Sequence, residues 1–414
     1  MTISVIRNFL LSLAVVAIFG AAAPAQPSKR TTGKRPAQDS AQKPAAKPDA
    51  VFDDLSKRAA EAAAAEKLDE ALALYQQALR RRPNWAAGWW AAGTILYERD
   101  FYADARDAFR ALVALEPKKG QAWGMLGLCE FQTREYERAI VSLLRGRVLG
   151  LGNNEQLASV VRFHTAITYT RLEQFEVAYD VLREFVREQK ESPKIIEAFG
   201  LTLLRMPFLP NETPPDKREL VMIAGQAAYQ MAARRGEVAE KIFKELLTRY
   251  ANTPNVHYGY GIFLLIRDAD AALAEFHREL QISPEHVPAM LQIAFEHLKR
   301  DEHEAALPWA EKSVQLAPKL FPARNALGRI LLELGQVERA IKELEAGVKL
   351  APDSPEMRFA LARAYARAGR RQDAAREREA FTRLDKLYRA QREGSQPDEE
   401  PKAGPDGKPP QPKP

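Results

Sequence analysis

The most constraining feature of this chain is a spacing. Pro83 and Pro117 stand 34 residues apart, and Pro284, Pro318 and Pro352 repeat that interval twice. A fixed period of this length, with no alternating strand pattern, marks a stack of helix–turn–helix units. Each unit buries its apolar face only against its neighbours, so the period must persist along the stack. Proline suits the end of a unit because its ring clashes with the preceding turn and it offers no N–H.

Two columns of small residues recur between the prolines. The first reads Ala59, Gly93, Gly127, Ala166, Ala227, Gly261, Ala294, Gly328 and Ala362. Twelve residues later, or eleven after Gly261, stand Ala71, Ala105, Ala139, Ala178, Ala239, Ala272, Ala306, Ala340 and Ala374. Two antiparallel helices cross closely only where the facing side chains are small, and close packing then demands large residues beside the crossing. Tyr75, Phe109, Leu143, Leu182, Phe243, Phe276 and Leu344 follow the alanines by four residues, with Ala310 the small exception. Four residues before the first column stand Leu55, Trp89 and Trp123, but later Arg162, His257, Arg324 and Arg358. The pattern is therefore expected to be stronger in the early repeats.

In period and in columns the chain resembles the tetratricopeptide repeat family. The resemblance implies an all-α fold, a right-handed superhelical solenoid of about nine helix pairs plus one lone helix. The lone helix is Lys194 to Arg205, with Gly200 in register and no second helix following. Met206 to Asp216 interrupts instead, carrying four prolines. Pro193 and Pro254 arrive three residues late, so the second helices containing Ala178 and Ala239 are expected to run about one turn longer. A capping helix from about Gln372 to Arg392 closes the array, with an apolar stripe of Phe381, Leu384, Leu387 and Tyr388.

The ends read differently. Arg7, the apolar stretch Phe9 to Phe19 and the small residues Ala23 and Ala25 have the form of a cleaved signal peptide over 1–25. The stretch is shorter than the roughly 20 apolar residues that span a bilayer. Residues 26–50 hold six Lys/Arg and two Asp and nothing apolar larger than alanine, a disordered basic linker. Residues 393–414 form a second disordered tail, rich in proline. Between them lie an N-terminal array over 51–205, an insertion over 206–217 and a C-terminal array over 218–392. The expectation is export to a periplasmic or secreted location, with anchoring by an uncleaved leader as the alternative. The formal charge of +6 owes +4 to the linker, so the basic balance does not point to nucleic acid.

Catalytic patterns are not apparent. Cys129 is the one cysteine, which excludes an internal disulfide or a cysteine-rich metal site. His303-Glu304 lacks the second histidine of a zinc-protease motif, and His297 and His303 are six apart, off metal-ligand spacing. His164, His257, His277 and His286 are scattered and read as satisfied histidines on helix surfaces. Asn211-Glu212-Thr213 has the form of a glycosylation sequon. No enzyme activity, cofactor or metal is expected.

What remains is a surface. The family resemblance implies that the first helix of each repeat lines a concave groove. Its positions here are Trp90, Tyr97, Leu128, Phe131, Phe163, Tyr258, Ile262, Leu265, Leu291, Phe295 and Leu298, followed by Asn325, Arg329, Arg363 and Arg367. Such a groove would be apolar and aromatic over most of its length and basic at its C-terminal end; the alternative is that tight superhelical curvature buries several of these residues against neighbouring helices. It suits peptide segments of other proteins, with an acidic group at one end. The function expected is a non-catalytic scaffold or adaptor of the cell envelope or secreted space. The alternative is a chaperone-like or assembly factor holding envelope or outer-membrane clients. Membrane contact is expected only if the leader is retained, and the oligomeric state is not legible.

Overall fold

The structure is a computed structural model and describes residues 49–393. The leader, nearly all of the basic linker and nearly all of the proline-rich tail lie outside the described residues. Two compact units divide between Lys244 and Glu245. Among the described residues there are nineteen α-helices and no strand, as nine pairs and one extra helix require.

The first unit contains α1 (Ala50–Ala64), α2 (Leu68–Arg81), α3 (Ala86–Glu98), α4 (Tyr102–Leu115), α5 (Gly120–Gln132) and α6 (Tyr136–Leu149). It continues through α7 (Glu155–Arg171), α8 (Phe175–Arg187), α9 (Pro193–Leu203) and α10 (Arg218–Ala232). The boundary falls inside α11 (Gly236–Tyr250). The second unit contains α12 (Val256–Leu264), α13 (Ala269–Ile282), α14 (Val287–Lys299), α15 (His303–Leu316), α16 (Phe321–Glu333), α17 (Val337–Leu350), α18 (Pro355–Arg367) and α19 (Arg371–Glu393).

The columns do what their sizes demand. Ala71, Ala105, Ala139, Ala178, Ala272, Ala306 and Ala340 are fully buried, and so are Phe109, Leu143, Leu182, Phe276 and Leu344 four residues on. A β-carbon placed on Gly328 would come within 2.5 Å of the Leu344 side chain. One on Gly93 would sit 3.1 Å from the Phe109 ring. The small column thus makes room for the large residue of the same repeat.

The turn inside most pairs repeats a left-handed residue that ends the first helix; the turn between α12 and α13 is the exception. Asp100 (φ 61°) lets its own N–H reach Tyr97 O at 3.1 Å, and the next N–H, of Phe101, reach Leu96 O at 2.9 Å. This is the Schellman arrangement, which satisfies carbonyls that the helix end would leave bare. Arg134, Glu173 and Asp301 take the same conformation without glycine, whereas Gly335 and Gly369 take it in the last two repeats.

The closing proline has a further partner. Trp89 Nε1–H donates to Pro83 O at 2.7 Å and Trp123 Nε1–H to Pro117 O at 3.0 Å. In the second unit Arg324 Nε–H donates to Pro318 O at 2.9 Å and Arg358 Nε–H to Pro352 O at 3.0 Å. The change from tryptophan to arginine in this column is therefore no weakening of the pattern. Both residue types supply an N–H to the same carbonyl.

Three expectations change. The helix after the insertion does return to the helix before it: α9 and α10 approach so closely that a β-carbon on Gly200 would lie 1.9 Å from Val221 O, and one on Gly225 1.9 Å from Ile196 O. Glycine on both helices is what permits this contact, so residues 206–217 form a loop inside the first unit with helices packed across it. Next, α8 spans 13 residues and is not lengthened. Gln189 (φ 55°) stops it, with Lys190 N–H on Phe185 O at 2.9 Å, before Pro193 is reached. Finally, the stripe on α19 is narrower than expected: Leu384 is buried, but Leu387 is 55% exposed. The side chain of Tyr388 lies outside the described residues.

Candidate functional site

In the first unit, first helices α3, α5, α7 and α9 turn a common face towards one cavity of about 860 Å³. Tyr97, Phe131 and Phe163 line it, as do Phe185 of α8 and Leu209 and Pro210 of the insertion. Three of the groove residues expected from the sequence are therefore brought together. Trp90 is not among them: it packs edge-on against Phe109 at 5.8 Å, with Lys119 Nζ 5.2 Å from its ring.

Exposure follows the curvature alternative for several of these residues. Trp90 (6%), Tyr97 (9%), Phe131 (8%) and, in the second unit, Tyr258 (7%) are buried, because neighbouring rings cover them. Tyr97 meets Tyr102 at 5.3 Å, Phe131 meets Tyr136 at 5.6 Å and His164 at 4.9 Å, and Tyr258 meets His286 at 4.8 Å. Leu128, Leu291 and Leu298 are buried too. Phe163 and Phe295 are half-buried, as are Ile262 and Leu265.

The cavity wall contributed by the insertion is fixed. Arg171 Nη1–H donates to Pro207 O at 2.8 Å and pairs with Glu212 at 3.0 Å, while Glu212 accepts the Leu209 N–H at 3.2 Å. Leu209 is buried. Burial pushes the Tyr97 and Tyr102 hydroxyls up, and it pushes His164 below its ordinary value, with Lys194 acting in the same direction. Burial also raises the Glu197 carboxyl at the wall, against the opposing influence of Thr213, Arg218 and Lys194.

In the second unit the expected basic end assembles on a residue the sequence reading missed. Glu333 accepts Arg363 Nη2–H and Arg367 Nη2–H, each at 2.8 Å, and Arg367 also donates to Leu332 O. Glu333 is held below the usual carboxylate range by these guanidiniums against the effect of burial. Arg329 is half-buried and makes no hydrogen bond or ion pair among the described residues. Burial and then the Arg363 charge pull its pKa down, and Glu333 only partly offsets them. Beside it Asn325 is 92% buried by its 8% exposure, and its Oδ1 lacks a partner. Three arginines against one glutamate leave the cluster at a formal +2.

One histidine of the second unit departs from the surface reading, whereas His277 is exposed as expected. His257 is buried against Glu275, which Arg278 also holds. Fully buried Glu279 accepts the backbone N–H groups of Asn255 (2.8 Å) and Tyr258 (3.2 Å), capping α12 from the next helix. Glutamates at this depth are unusual without partners, and their helical spacing alone gave no cue to their buried face. Among the described residues no three His, Cys, Asp or Glu side chains gather as a metal site would require, and no helix is long and apolar enough to cross a membrane.

Comparison with known proteins adds the following. The tetratricopeptide repeat family matches residues 91–147 and 325–384. A BBSome complex member BBS4 homolog from Drosophila melanogaster is 25% identical over 136 residues, which are 33% of this chain and 27% of that protein. The match thus spans about a quarter of the relative's length. Among solved structures, MamA 41-end from Desulfovibrio magneticus RS-1 is 25% identical, with a TM-score of 0.36, covering 42% of this chain and 97% of its own. YrrB, described as a TPR protein with an unusual peptide-binding site, is 18% identical, with a TM-score of 0.34, covering 38% and 82% respectively. The helix-pair architecture, the filled small-residue columns and the two matched stretches together support the tetratricopeptide repeat family for this chain.

Proposed function

We propose that this protein is a non-catalytic scaffold or adaptor that binds peptide segments of other proteins along its first-helix faces. Arg329 carries the reading. A half-buried guanidinium that no carboxylate pairs with directly and that Glu333 only partly offsets, next to a buried amide whose oxygen is unpartnered, is an unfavourable arrangement that a bound polar, anionic segment would relieve. The acidic end expected of the partner falls here. The signal-like leader supports a location in the periplasm or the secreted space, or at a membrane if the leader stays attached.

Fluorescence anisotropy with dye-labelled peptides tests the reading. Peptides ending in an acidic group should bind at least ~10-fold more tightly than neutral ones at low salt, and Arg329→Glu should abolish the difference. Equal binding of both peptide classes sinks the proposal. Broad, salt-insensitive binding to apolar peptides would favour the assembly-factor reading, since half-buried Phe163 and Phe295 offer generic apolar contact. Mature protein beginning at Gln26 supports export, and an intact leader on cytoplasmic protein refutes it.

A further inference from the structure

The cavity of the first unit differs from an open groove because the insertion stands across one end of it. Its volume of about 860 Å³ falls in the roughly 300–1,000 Å³ range of pockets that enclose compact organic groups. Its rings are already arranged edge-to-face, the geometry that aromatic guests extend. The wall is tied down by Arg171 through both Pro207 and Glu212, so the pocket is formed before anything enters it.

One polar feature selects among apolar guests. His164 Nδ1 lies 2.8 Å from the carbonyl oxygen of Val160. A carbonyl only accepts, so Nδ1 carries the proton, and in the neutral ring Nε2 is left as an acceptor. Among the described residues Nε2 has no hydrogen-bond partner, and the ring lines the pocket. The guest that completes this site is aromatic and carries an N–H or O–H donor. Glu98 and Lys194 on the same lining are already engaged within the protein.

We infer that the pocket behind the 206–217 insertion receives a tryptophan or tyrosine side chain of a bound peptide, whose donor meets His164 Nε2. This rests on the peptide-binding reading above but not on the arginine end in the second unit. The insertion is then the device that turns a continuous groove into a pocket for an anchor residue.

The probes are the blocked amino acids N-acetyl-tryptophanamide, N-acetyl-tyrosinamide and N-acetyl-phenylalaninamide, titrated into the full chain by calorimetry. The tryptophan amide should bind saturably with a Kd on the order of 0.1–1 mM, and the phenylalanine amide ~5-fold more weakly for want of a donor. Ser159→Trp, which fills the pocket from its lining, should remove binding of all three; Gln132→Trp serves if the first variant loses helicity. His164→Phe should bring the tryptophan and phenylalanine amides within about twofold of each other. No saturable binding by the wild type, equal affinity for the two amides, or unchanged binding in a folded filling variant each overturns the inference. Arg329→Glu should leave amide binding intact. Failure of the acidic-peptide experiment with amide binding preserved therefore defeats the arginine end alone, and the converse defeats the pocket alone.

Discussion

Trp89 and Trp123 in the first unit, and Arg324 and Arg358 in the second, occupy one column and perform one task with different chemistry. Each donates an N–H to the carbonyl of the proline that closes the preceding repeat, at 2.7–3.0 Å. Tryptophan adds apolar area. Arginine adds further N–H groups, and these reach Glu343 from Arg324 and Glu377 from Arg358. At these four positions the column holds a planar N–H donor on a long stem, and an aromatic ring as such is not required. The same contrast runs through the first-helix faces: rings gather around a cavity in the first unit, and arginines gather around Glu333 in the second.

The contrast can be stressed by substitution, beginning with the helix contact that only the first unit has. Gly200→Ala places a methyl 1.9 Å from a backbone oxygen that cannot rotate away, and should cost about 1–3 kcal/mol or more in urea unfolding followed by circular dichroism. Gly93→Ala meets only the Phe109 ring at 3.1 Å, and its gain in helix propensity of ~1 kcal/mol should leave it near neutral. Comparable losses at the two sites would mean that the close approach of α9 and α10 is not what holds the insertion in place.

Within the shared column, Arg324→Met removes the donor and strands Glu343, whose side chain is 19% exposed, so it should cost about 1–3 kcal/mol. Trp89→Phe keeps the ring and loses only the hydrogen bond, which predicts about 0.5–1.5 kcal/mol. If the two losses are equal, the glutamate pairing adds nothing and the two versions of the column are interchangeable. The turns should separate by a smaller margin. Arg134→Gly relieves a left-handed backbone and should gain ~0.5–1 kcal/mol, whereas Gly335→Ala should lose a similar amount.

The smallest effect is a pH dependence confined to the first unit. Burial lowers the folded-state pKa of His164, so the unfolded chain binds more protons. Its contribution is fully present above the unfolded value of about 6.5 and is lost as pH falls through the lower folded value. Melting temperature should decline more steeply below about pH 6.5 in the wild type than in His164→Gln, by about one to two degrees in a domain of this size. Parallel curves would remove His164 from the account.

The repeat was readable because its constraints are local and recur. Ala105 and Phe109, or Ala340 and Leu344, sit four residues apart on one helix face, and a close crossing needs that pair whatever the rest of the chain does. That curvature buries some groove aromatics was readable, but not that Trp90 and Tyr97 are among them, because Phe109 and Tyr102, which cover them, lie on the following helix. The role of Arg324 was hidden for another reason. Judged by hydropathy an arginine in a tryptophan column looks like decay, and only the geometry of its Nε–H shows the equivalence.

The sequence by itself determined the period, the helix pairs, the small residues at each crossing and the positions from which any groove must be built. These follow from steric rules acting over a few residues. Tertiary structure alone decided that α9 and α10 meet across the insertion, that Arg171 ties that insertion down 41 residues away, and that Glu333 gathers two arginines from the next repeat. Those outcomes depend on which distant side chains come within hydrogen-bond reach, a quantity set by how the helices stack and not by the spacing of residues along any one of them.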